Sequence, residues 1–174
     1  MEQKHIQQLY NRVGFGISYK KLGSLKSKTK KDIVSNLFSD SKKNVPLNID
    51  LTEFEIFKTK SDKQLKLEFG KEEIKKLKRK SRKKVRELNY AWIKRLSEDD
   101  SVLREKMTLF WANIFVCRDN NILHIHQYNN TLRKNALGSF KDFVKAISKE
   151  PSMIKYLNLK QNVKKKPNEN FARE

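Results

Sequence analysis

The sequence predicts an all-α fold, an irregular multi-helix bundle. Its 174 residues are enough for one domain with a core of its own. Five glycines and three prolines are too few for the many tight turns of a β-sandwich or a barrel. Several segments instead repeat apolar residues every three or four positions, which is the period of a helix with one buried face.

The first part of the chain is predicted to contain two short helices and a long connection. Lys4–Tyr10 forms a helical turn, and the two glycines of RVGFG (12–16) predict a bend that buries Phe15. Thr29–Phe38 carries its apolar residues on one face and predicts the second helix. Residues 39–62 are predicted to form an irregular connection, with a short strand as the alternative because apolar and polar residues alternate there.

A long basic amphipathic helix is predicted over residues 71–96. Ser81 interrupts its apolar stripe, and the outer faces carry many lysines and arginines with almost no acidic residues. The apolar residues fall three or four positions apart, or at the sum of these spacings, which places them on one side of a helix. They are Ile74, Leu77, Val85, Leu88, Trp92 and Leu96.

The formal net charge of +20 has two interpretations. Clustered basic residues neutralise phosphates, so one interpretation is nucleic-acid or anionic-surface binding through helix 71–96. The other is a solvated outer face, since most of the surplus is lysine, which A/T-biased codon usage also produces. The second interpretation is the favoured one. The residues of the binding alternative are Lys75, Lys76, Arg79, Arg82, Lys83 and Arg86.

Three more helices and a short fourth one are predicted after a hinge at 98–101. The apolar pattern marks Val102–Phe115 and Gln127–Leu137 as helical, followed by a helix that begins after Ser139 and ends at Glu150-Pro151. In this last helix, the regular spacing i, i+3, i+4, i+7 is that of Phe140, Phe143, Val144 and Ile147. Pro151 suits the first position of the short helix that follows. With these helices, the bundle is predicted to form a single domain over residues 1–174.

The composition also limits the compartment and the kinds of site. The single cysteine, Cys117, rules out an internal disulfide, a zinc knuckle and a CxxC redox pair within this sequence. The first residues lack the apolar core of a secretory signal. The longest apolar stretch, around Phe110 to Val116, is far shorter than the roughly 20 residues of a transmembrane helix. The sequence therefore predicts a cytoplasmic protein without a membrane span.

His124 and His126 form an HxH pair after a break at residues 118–121. In an extended segment such a pair places two imidazoles on the same side, which is a spacing found in metal sites. A metal site also needs a third ligand, and none is visible nearby in the sequence. The sequence therefore predicts no metal site and identifies no cofactor, and a metal-assisted hydrolase is the least favoured hypothesis.

The closing segment NENFARE (168–174) is dense in polar groups. Pro167 precedes it, which predicts the first turns of a helix. Carboxylates beside guanidiniums at a helix start either form a buried hydrogen-bonded network that fixes helix packing or present their charges to a ligand. The packing network is the favoured interpretation, and a ligand site is the alternative.

Five segments together resemble one known family. They are RVGFG (12–16), LREKMTLFWANIFV (103–116), LRKNALGSF (132–140), PSMIKYLN (151–158) and PNENFARE (167–174). Their order and spacing are similar to those of the bacterial domain-of-unknown-function 1800 family, while residues 46–86 carry no part that matches it. The resemblance implies a helical protein without an established activity.

The resemblance has further implications for this chain. Chains of the family continue well beyond the equivalent of Glu174, which implies that this one is the N-terminal part of a larger helical domain, incomplete at its C-terminus. Family members often carry export signals. Where the family has a WHNHF-like segment, residues 111–115 read Trp-Ala-Asn-Ile-Phe, so a metal role for those histidines does not transfer. The polar residues that match the family's pattern are Arg12, Arg133, Asn168, Glu169, Asn170, Arg173 and Glu174.

Two functional hypotheses follow. The leading one is a site for a ligand or a protein partner, lined by the polar residues of the closing motif together with Arg12 and Arg133. The alternative is nucleic-acid or anionic-surface binding through the basic helix 71–96. No Ser-His-Asp order, Cys-His pair or paired carboxylate spacing amounts to a catalytic assignment, so the sequence names no catalytic residue.

Overall fold

The described part of the chain is built of helices. The computed structural model describes residues 2–98, 100–164 and 168–173, without the side chains of residues 62, 171 and 172. These residues contain no β-strand, which confirms the predicted all-α bundle. Its helices are α1 Gln3–Val13, α2 Tyr19–Leu25, α3 Lys30–Lys42, α4 Ile56–Thr59, α5 Asp62–Glu98, α6 Val102–Ile114, α7 Ile122–Asn135, α8 Phe140–Ile147, α9 Pro151–Tyr156 and α10 Asn170–Arg173. Within this described part, no helix combines the length and the apolar character needed to cross a lipid bilayer.

Polar side chains at the N-caps define where several helices begin. At α3, Thr29 and Asp32 form a capping box, in which each side chain accepts a hydrogen bond from the other's backbone N–H. Ser139 begins α8, where its hydroxyl accepts a hydrogen bond from the backbone N–H of Asp142. Asn121 begins α7 by accepting from the backbone N–H of Leu123 at 3.0 Å.

Three apolar clusters hold the helices together. The first joins α1, α2 and α3 to the start of α6. The second joins α7, α8 and α9, and the third packs the middle of α5 against α7 and the connection before α4. Their buried members are Ile6, Tyr10, Leu22, Leu25, Ile33, Leu37 and Val102; Tyr128, Leu132, Phe143, Ile147, Met153 and Leu157; and Leu47, Phe54, Leu88, Ile122 and Leu123.

The long helix α5 bends sharply at Gly70. This residue has φ +79° and ψ 159°, a conformation that other L-residues rarely adopt. The bend separates a first arm, residues 62–69, from a second arm, residues 71–98. Leu65 of the first arm is fully buried, as is Leu88 of the second, so both arms are held by the core. The predicted long helix 71–96 is confirmed as the second arm, and the helical segment begins earlier than the apolar stripe indicated.

Helix α7 lies at the centre of the bundle and contacts α5, α6, α8 and α9. It begins at Ile122, earlier than the predicted start at Gln127, so His124 and His126 lie on a helix. Residues two apart on a helix point in different directions, so the extended geometry considered for this pair does not occur. Asn121, which caps the helix, is the signal in the sequence that marks this earlier start.

Residues 43–61 run over the surface between α3 and α5. They contain an extended stretch, a 3-10 turn at Thr52–Phe54 and the short helix α4. The backbone N–H of Leu47 donates to the side-chain oxygen of Asn130 on α7 at 2.8 Å, and Phe54 is buried in the third cluster. Near the N-terminus, the prediction that Phe15 is buried is wrong. Its ring is 42% exposed, and the ammonium of Lys106 lies over it at 4.6 Å.

Candidate functional site

Buried charged side chains form a network around Glu105 of α6. Its carboxylate accepts from Nε of Arg133 at 2.7 Å and from Nε1 of Trp92 at 2.9 Å. It also forms an ion pair with Arg95, whose Nε lies 3.2 Å away. Nη1 of Arg133 donates in turn to Asn130 at 2.7 Å. Glu105 is 1% exposed and Arg133 is fully buried. The network therefore binds α5, α6 and α7 together where no water reaches.

Arg104, the neighbour of Glu105, closes the ends of two helices. Its guanidinium donates to the backbone carbonyls of Ser41 at 2.8 Å and Lys42 at 3.2 Å, at the end of α3. It also donates to the carbonyl of Arg133 at 2.7 Å, near the end of α7. The last carbonyls of a helix lack partners inside the helix, and a guanidinium with several N–H donors supplies them. Arg104 and Arg133 thus both act on packing.

The described residues of the closing motif, 168–173, lie at the C-terminal end of the described chain. Glu169 and Arg173 are an i,i+4 ion pair at 3.8 Å, with side chains 81% and 63% exposed. Nη2 of Arg173 also lies 3.5 Å from the side-chain oxygen of Asn170, and Asn168 accepts from the backbone N–H of Asn170 at 3.0 Å. Glu174, the last member of the predicted site, lies outside the described residues.

The two arginines expected to join this motif lie elsewhere. Arg133 is enclosed by the Glu105 network. Arg12 is exposed on α1, beside an open groove of about 460 Å³ that Leu9, Lys30 and Val34 also line. Among the described residues, no hydrogen bond or ion pair connects either arginine with the segment 168–173. A shared site of all these residues stays a prediction.

The outer face of the second arm of α5 carries a stripe of exposed cations. Lys75, Arg79, Arg82 and Arg86 follow one another at i, i+4, i+7 and i+11, with Lys83 at its margin. Arg79, Arg82, Lys83 and Arg86 have no hydrogen-bond or ion-pair partner among the described residues. We call Lys75, Arg79, Arg82, Lys83 and Arg86 the basic stripe.

Three lysines that flank the stripe on α5 have carboxylates nearby. Lys76 pairs with Glu73 at 3.4 Å and Lys84 with Glu87 at 2.7 Å, while Lys80 contacts Glu53. Lys75 is the member of the stripe with a carboxylate close by, since Glu72 lies 3.8 Å away. The positive charge of α5 is therefore strongest along the stripe.

The bend at Gly70 turns part of this stripe into a groove. Lys66 comes from the first arm, and the other lining residues come from the second arm. The groove has a volume of about 380 Å³, an apolar floor at Ile74, and no acidic residue in its lining. We call it the basic groove. Its lining residues are Lys66, Lys71, Ile74, Lys75, Lys78, Arg79 and Arg82.

A second polar cavity lies between α5, α7 and α9. Asp119, in the turn before α7, has a fully buried carboxylate that lies 2.7 Å from Nδ1 of His124 and also contacts the ammonium of Lys155. Burial alone raises the pKa of Asp119, but hydrogen bonds from His124, Lys155 and the backbone of Asn121 outweigh this effect and hold the pKa well below the usual range. Asp119 is therefore ionised, and Nδ1 of His124 donates to it.

The orientation of Asn121 fixes the other side of the His124 ring. The side-chain oxygen of Asn121 accepts from the backbone of Leu123, so its amide nitrogen faces Nε2 of His124 at 3.2 Å. An amide nitrogen is a donor, so Nε2 of His124 accepts in this contact. The sequence had identified His124 only as half of a metal pair. Asp119, five residues earlier in the sequence, is the local feature from which the hydrogen bond to His124 could have been predicted.

The second histidine of the pair has a different environment. Nε2 of His126 lies 2.7 Å from the carbonyl oxygen of Leu47, so this imidazole ties the connection before α4 to α7. Among the residues that the structure describes, no group of three or more His, Cys, Asp or Glu side chains is arranged to hold a metal ion.

A comparison with protein families identifies the family of this chain. The model described as "Protein of unknown function (DUF1800)" matches residues 8–174, nearly the whole chain. The chain belongs to the DUF1800 family. No curated protein and no solved structure matches it significantly.

In this DUF1800 member, the segment 111–115 packs in part against the second apolar cluster. Nε1 of Trp111 donates to the carbonyl of Ala136 at 3.1 Å, and its ring lies 5.1 Å from that of Phe143 in an edge-to-face arrangement. The side-chain amide of Asn113 donates to the carbonyl of Leu109, one turn earlier. Trp111, Ala112 and Phe115 therefore pack against the second apolar cluster, while Asn113 and Ile114 are exposed.

The single thiol is also part of the interior of this family member. Burial raises the pKa of Cys117 above its ordinary value, so the thiol stays protonated at neutral pH. A protonated thiol is a poor nucleophile. Cys117 is therefore not arranged as an activated catalytic cysteine.

Proposed function

We propose that this protein binds nucleic acid through the basic stripe and the basic groove of α5. The observation that carries the proposal is the basic groove, in which six cationic side chains surround one apolar residue without any acidic residue. Phosphates are the natural partners of such a surface, because neutralising them releases their bound counterions. The residues are those of the alternative drawn from the sequence except Lys76, which pairs with Glu73. Lys66, Lys71 and Lys78 join them.

Repulsion among the cations of the basic stripe destabilises α5, and this supports the proposal. Arg79 and Lys83 are like charges four residues apart, and so are Arg82 and Arg86. Each such pair destabilises a helix by about 0.2–0.5 kcal/mol. Carboxylates relieve the lysines on the flanks but not these four residues. An external polyanion would relieve the repulsion.

The chemistry and the shape of the surface favour nucleic acid over a membrane. Arg79, Arg82 and Arg86 have planar guanidiniums that bind phosphate oxygens in pairs, which lysine does not do. The bend at Gly70 makes the surface concave, and a phosphate backbone enters a concave groove more readily than a flat lipid surface does. Tyr90, 72% exposed one turn beyond Arg86, adds an aromatic ring on which an unpaired base can stack.

The test is a titration of labelled single-stranded and duplex DNA and RNA at several salt concentrations. The triple variant Arg79→Gln, Arg82→Gln, Arg86→Gln should bind at least tenfold more weakly. The slope of the logarithm of the binding constant against that of the salt concentration should fall by about 2 to 3, since each lost phosphate contact contributes about 0.7–0.9.

The matched control is Lys141→Gln, Lys145→Gln, Lys149→Gln, which removes the same charge from exposed positions on and beside α8. Equal weakening in both triple variants would contradict the proposal, because binding would then depend on net charge alone. Absence of binding at about 50 mM salt would also contradict it. Binding to anionic phospholipid vesicles without binding to any nucleic acid would assign the surface to a membrane instead.

The closing motif supplies a second candidate function. We propose it as a site for a small polar ligand, supported by the exposure of Glu169 and Arg173, which a purely internal packing network would not show. A panel of small carboxylates, amides and amines should then raise the melting temperature. Glu169→Ala and Arg173→Ala should abolish that increase while leaving the unliganded protein folded. Simple unfolding of these variants would favour the packing role.

A further inference from the structure

The cavity between α5, α7 and α9 has the features of a small anion-binding site. It has a volume of about 320 Å³, at the lower end of the range for small-molecule sites. Four elements form it: the second arm of α5, the turn before α7, α7 itself and α9, with Phe57 of α4 at one side. Its lining residues are Phe57, Lys78, Ser81, Arg82, Asn120, Asn121, His124 and Lys155.

The charge of this cavity is positive. Lys78, Arg82 and Lys155 are cations, and the carboxylate of Asp119 beneath them is the opposing charge. Asp119 is already satisfied, since it accepts from His124, Lys155 and the backbone N–H groups of Asn120 and Asn121. It therefore holds Lys155 in place without neutralising the cavity as a whole.

The wall of the cavity is rigid before any ligand arrives. The hydroxyl of Ser81 donates to the carbonyl of Asn120 at 2.9 Å and accepts from the backbone N–H of Ile122 at 2.9 Å. This pair of bonds fixes the turn 119–121 against α5. Donors that are already in position lose little entropy when an anion binds, so the site is preorganised.

We propose that this cavity binds a phosphate monoester group. Its cations converge from two helices on one cavity, and the side-chain amides of Asn120 and Asn121 add neutral donors. A terminal phosphate carries up to two charges and three free oxygens, so it uses several such donors at once. A diester within a strand carries a single charge and matches this set of donors less well. Phe57 provides an apolar face for the organic part of the ligand.

This inference goes beyond the proposed nucleic-acid binding. The cavity shares Arg82 with the basic stripe and Lys78 with the basic groove, but Lys155, Asn120 and His124 belong to neither. A free organic phosphate and the phosphorylated end of a nucleic acid offer the same chemical group. The experiment therefore includes both sources.

The test is calorimetric titration at low, constant ionic strength with four probes. They are inorganic phosphate, glycerol 3-phosphate, glycerol, and a short oligonucleotide with either a 5′-phosphate or a 5′-hydroxyl. We expect glycerol 3-phosphate to bind and glycerol not to bind. Lys155→Met, which keeps most of the side chain but removes its charge, should weaken phosphate binding at least tenfold. The control Lys149→Met, at an exposed position before α9, should leave it unchanged.

The outcomes separate the sources and the two proposals. Binding of the small phosphates assigns the site to a free metabolite, and binding of only the 5′-phosphorylated oligonucleotide assigns it to a nucleic-acid end. Both outcomes support a phosphate monoester site. Arg79→Gln with Arg86→Gln should reduce strand binding but not phosphate binding, since neither residue lines this cavity. Failure of one proposal is thus distinguishable from failure of the other.

A second measurement covers the case in which Lys155→Met does not fold. In the unmodified protein, phosphate should shift the NMR amide signals of Asn120, Asn121 and His124 more than any others. No binding by any phosphorylated probe, or equal affinity of Lys155→Met and the unmodified protein, would overturn the inference. The same holds if the largest shifts fall at Arg79, Lys83 and Arg86, which belong to the basic stripe but do not line this cavity.

Discussion

The carboxylate of Glu105 on α6 lies 2.7 Å from Nε of Arg133 on α7, and both side chains are almost completely excluded from water. Trp92 and Arg95 of α5 contact the same carboxylate. Three helices thus share one buried negative charge. Removing these charged groups from water costs free energy, and their mutual interactions compensate for that cost only while all partners are present.

We expect Glu105→Ala to destabilise the fold by about 3–5 kcal/mol, because it leaves the Arg133 guanidinium buried without a counter-charge. Urea unfolding followed by tryptophan fluorescence measures this. The control is Glu98→Ala, which removes an exposed carboxylate and should cost less than about 1 kcal/mol. A similar small loss for Glu105→Ala would show that the network adds little to stability.

Asp119 should make stability depend on pH in the acid range. Its pKa is lower in the folded chain than its ordinary value of 3.8, so the ionised carboxylate stabilises the fold. That contribution is complete above the ordinary value and is lost as the pH falls towards the lower, folded pKa. Unfolding free energies measured from about pH 6 to pH 2 should therefore fall less steeply for Asp119→Asn. The exposed control Asp142→Asn should keep the steep fall, and an unchanged profile for Asp119→Asn would refute the assignment.

Two glycines should respond in opposite directions to alanine. Gly70→Ala forces a side chain into a positive φ and should cost about 1–2 kcal/mol, although nothing lies within 4 Å of the added carbon. Gly23→Ala lies inside α2, also with open space around the added carbon, and should stabilise by about 0.5–1 kcal/mol. Thermal or urea unfolding of the two variants measures both changes in the free energy of unfolding. Equal effects would mean that the backbone of Gly70 is not strained.

The thiol of Cys117 should react slowly in the folded protein. Burial keeps its pKa above the ordinary value, so little thiolate is present near pH 8. Labelling with a chromogenic disulfide reagent should be at least tenfold faster in denaturing urea than in buffer. Equal rates under both conditions would show that the thiol is open and activated, contrary to its position in the core.

The helices that were easiest to predict are those whose signals are local. The helix that begins after Ser139 was predicted with its observed start, because its N-cap and the spacing of Phe143 and Ile147 are local signals. It ends at Ile147, earlier than the predicted end at Glu150-Pro151. The bend at Gly70 was not predicted, since a glycine in a helical pattern gives no indication of its own φ. Leu65, which anchors the first arm, lies before the predicted stripe and is buried through contacts that the local pattern does not contain.

The candidate sites show the same limit. Arg133 was named for its match to a family pattern, but its partner Glu105 lies 28 positions earlier and is brought close only by packing. Arg82 was named from charge alone, and nothing in the local sequence places it beside Lys155, which comes from a different helix. The joint site of Arg12, Arg133 and the closing motif depends on residue 174 and remains a prediction.

The hydroxyl of Ser81 breaks the apolar stripe of α5, yet it uses its proton and its lone pair on two successive backbone groups around Asn121. A shift of α7 along α5 by one residue would leave the carbonyl of Asn120 and the backbone N–H of Ile122 without these hydrogen bonds. Ser81, the residue that interrupts the apolar stripe, thus fixes the alignment of α5 and α7. Apolar side chains alone would tolerate several alignments of α7 on α5, whereas the two hydrogen bonds of Ser81 select one.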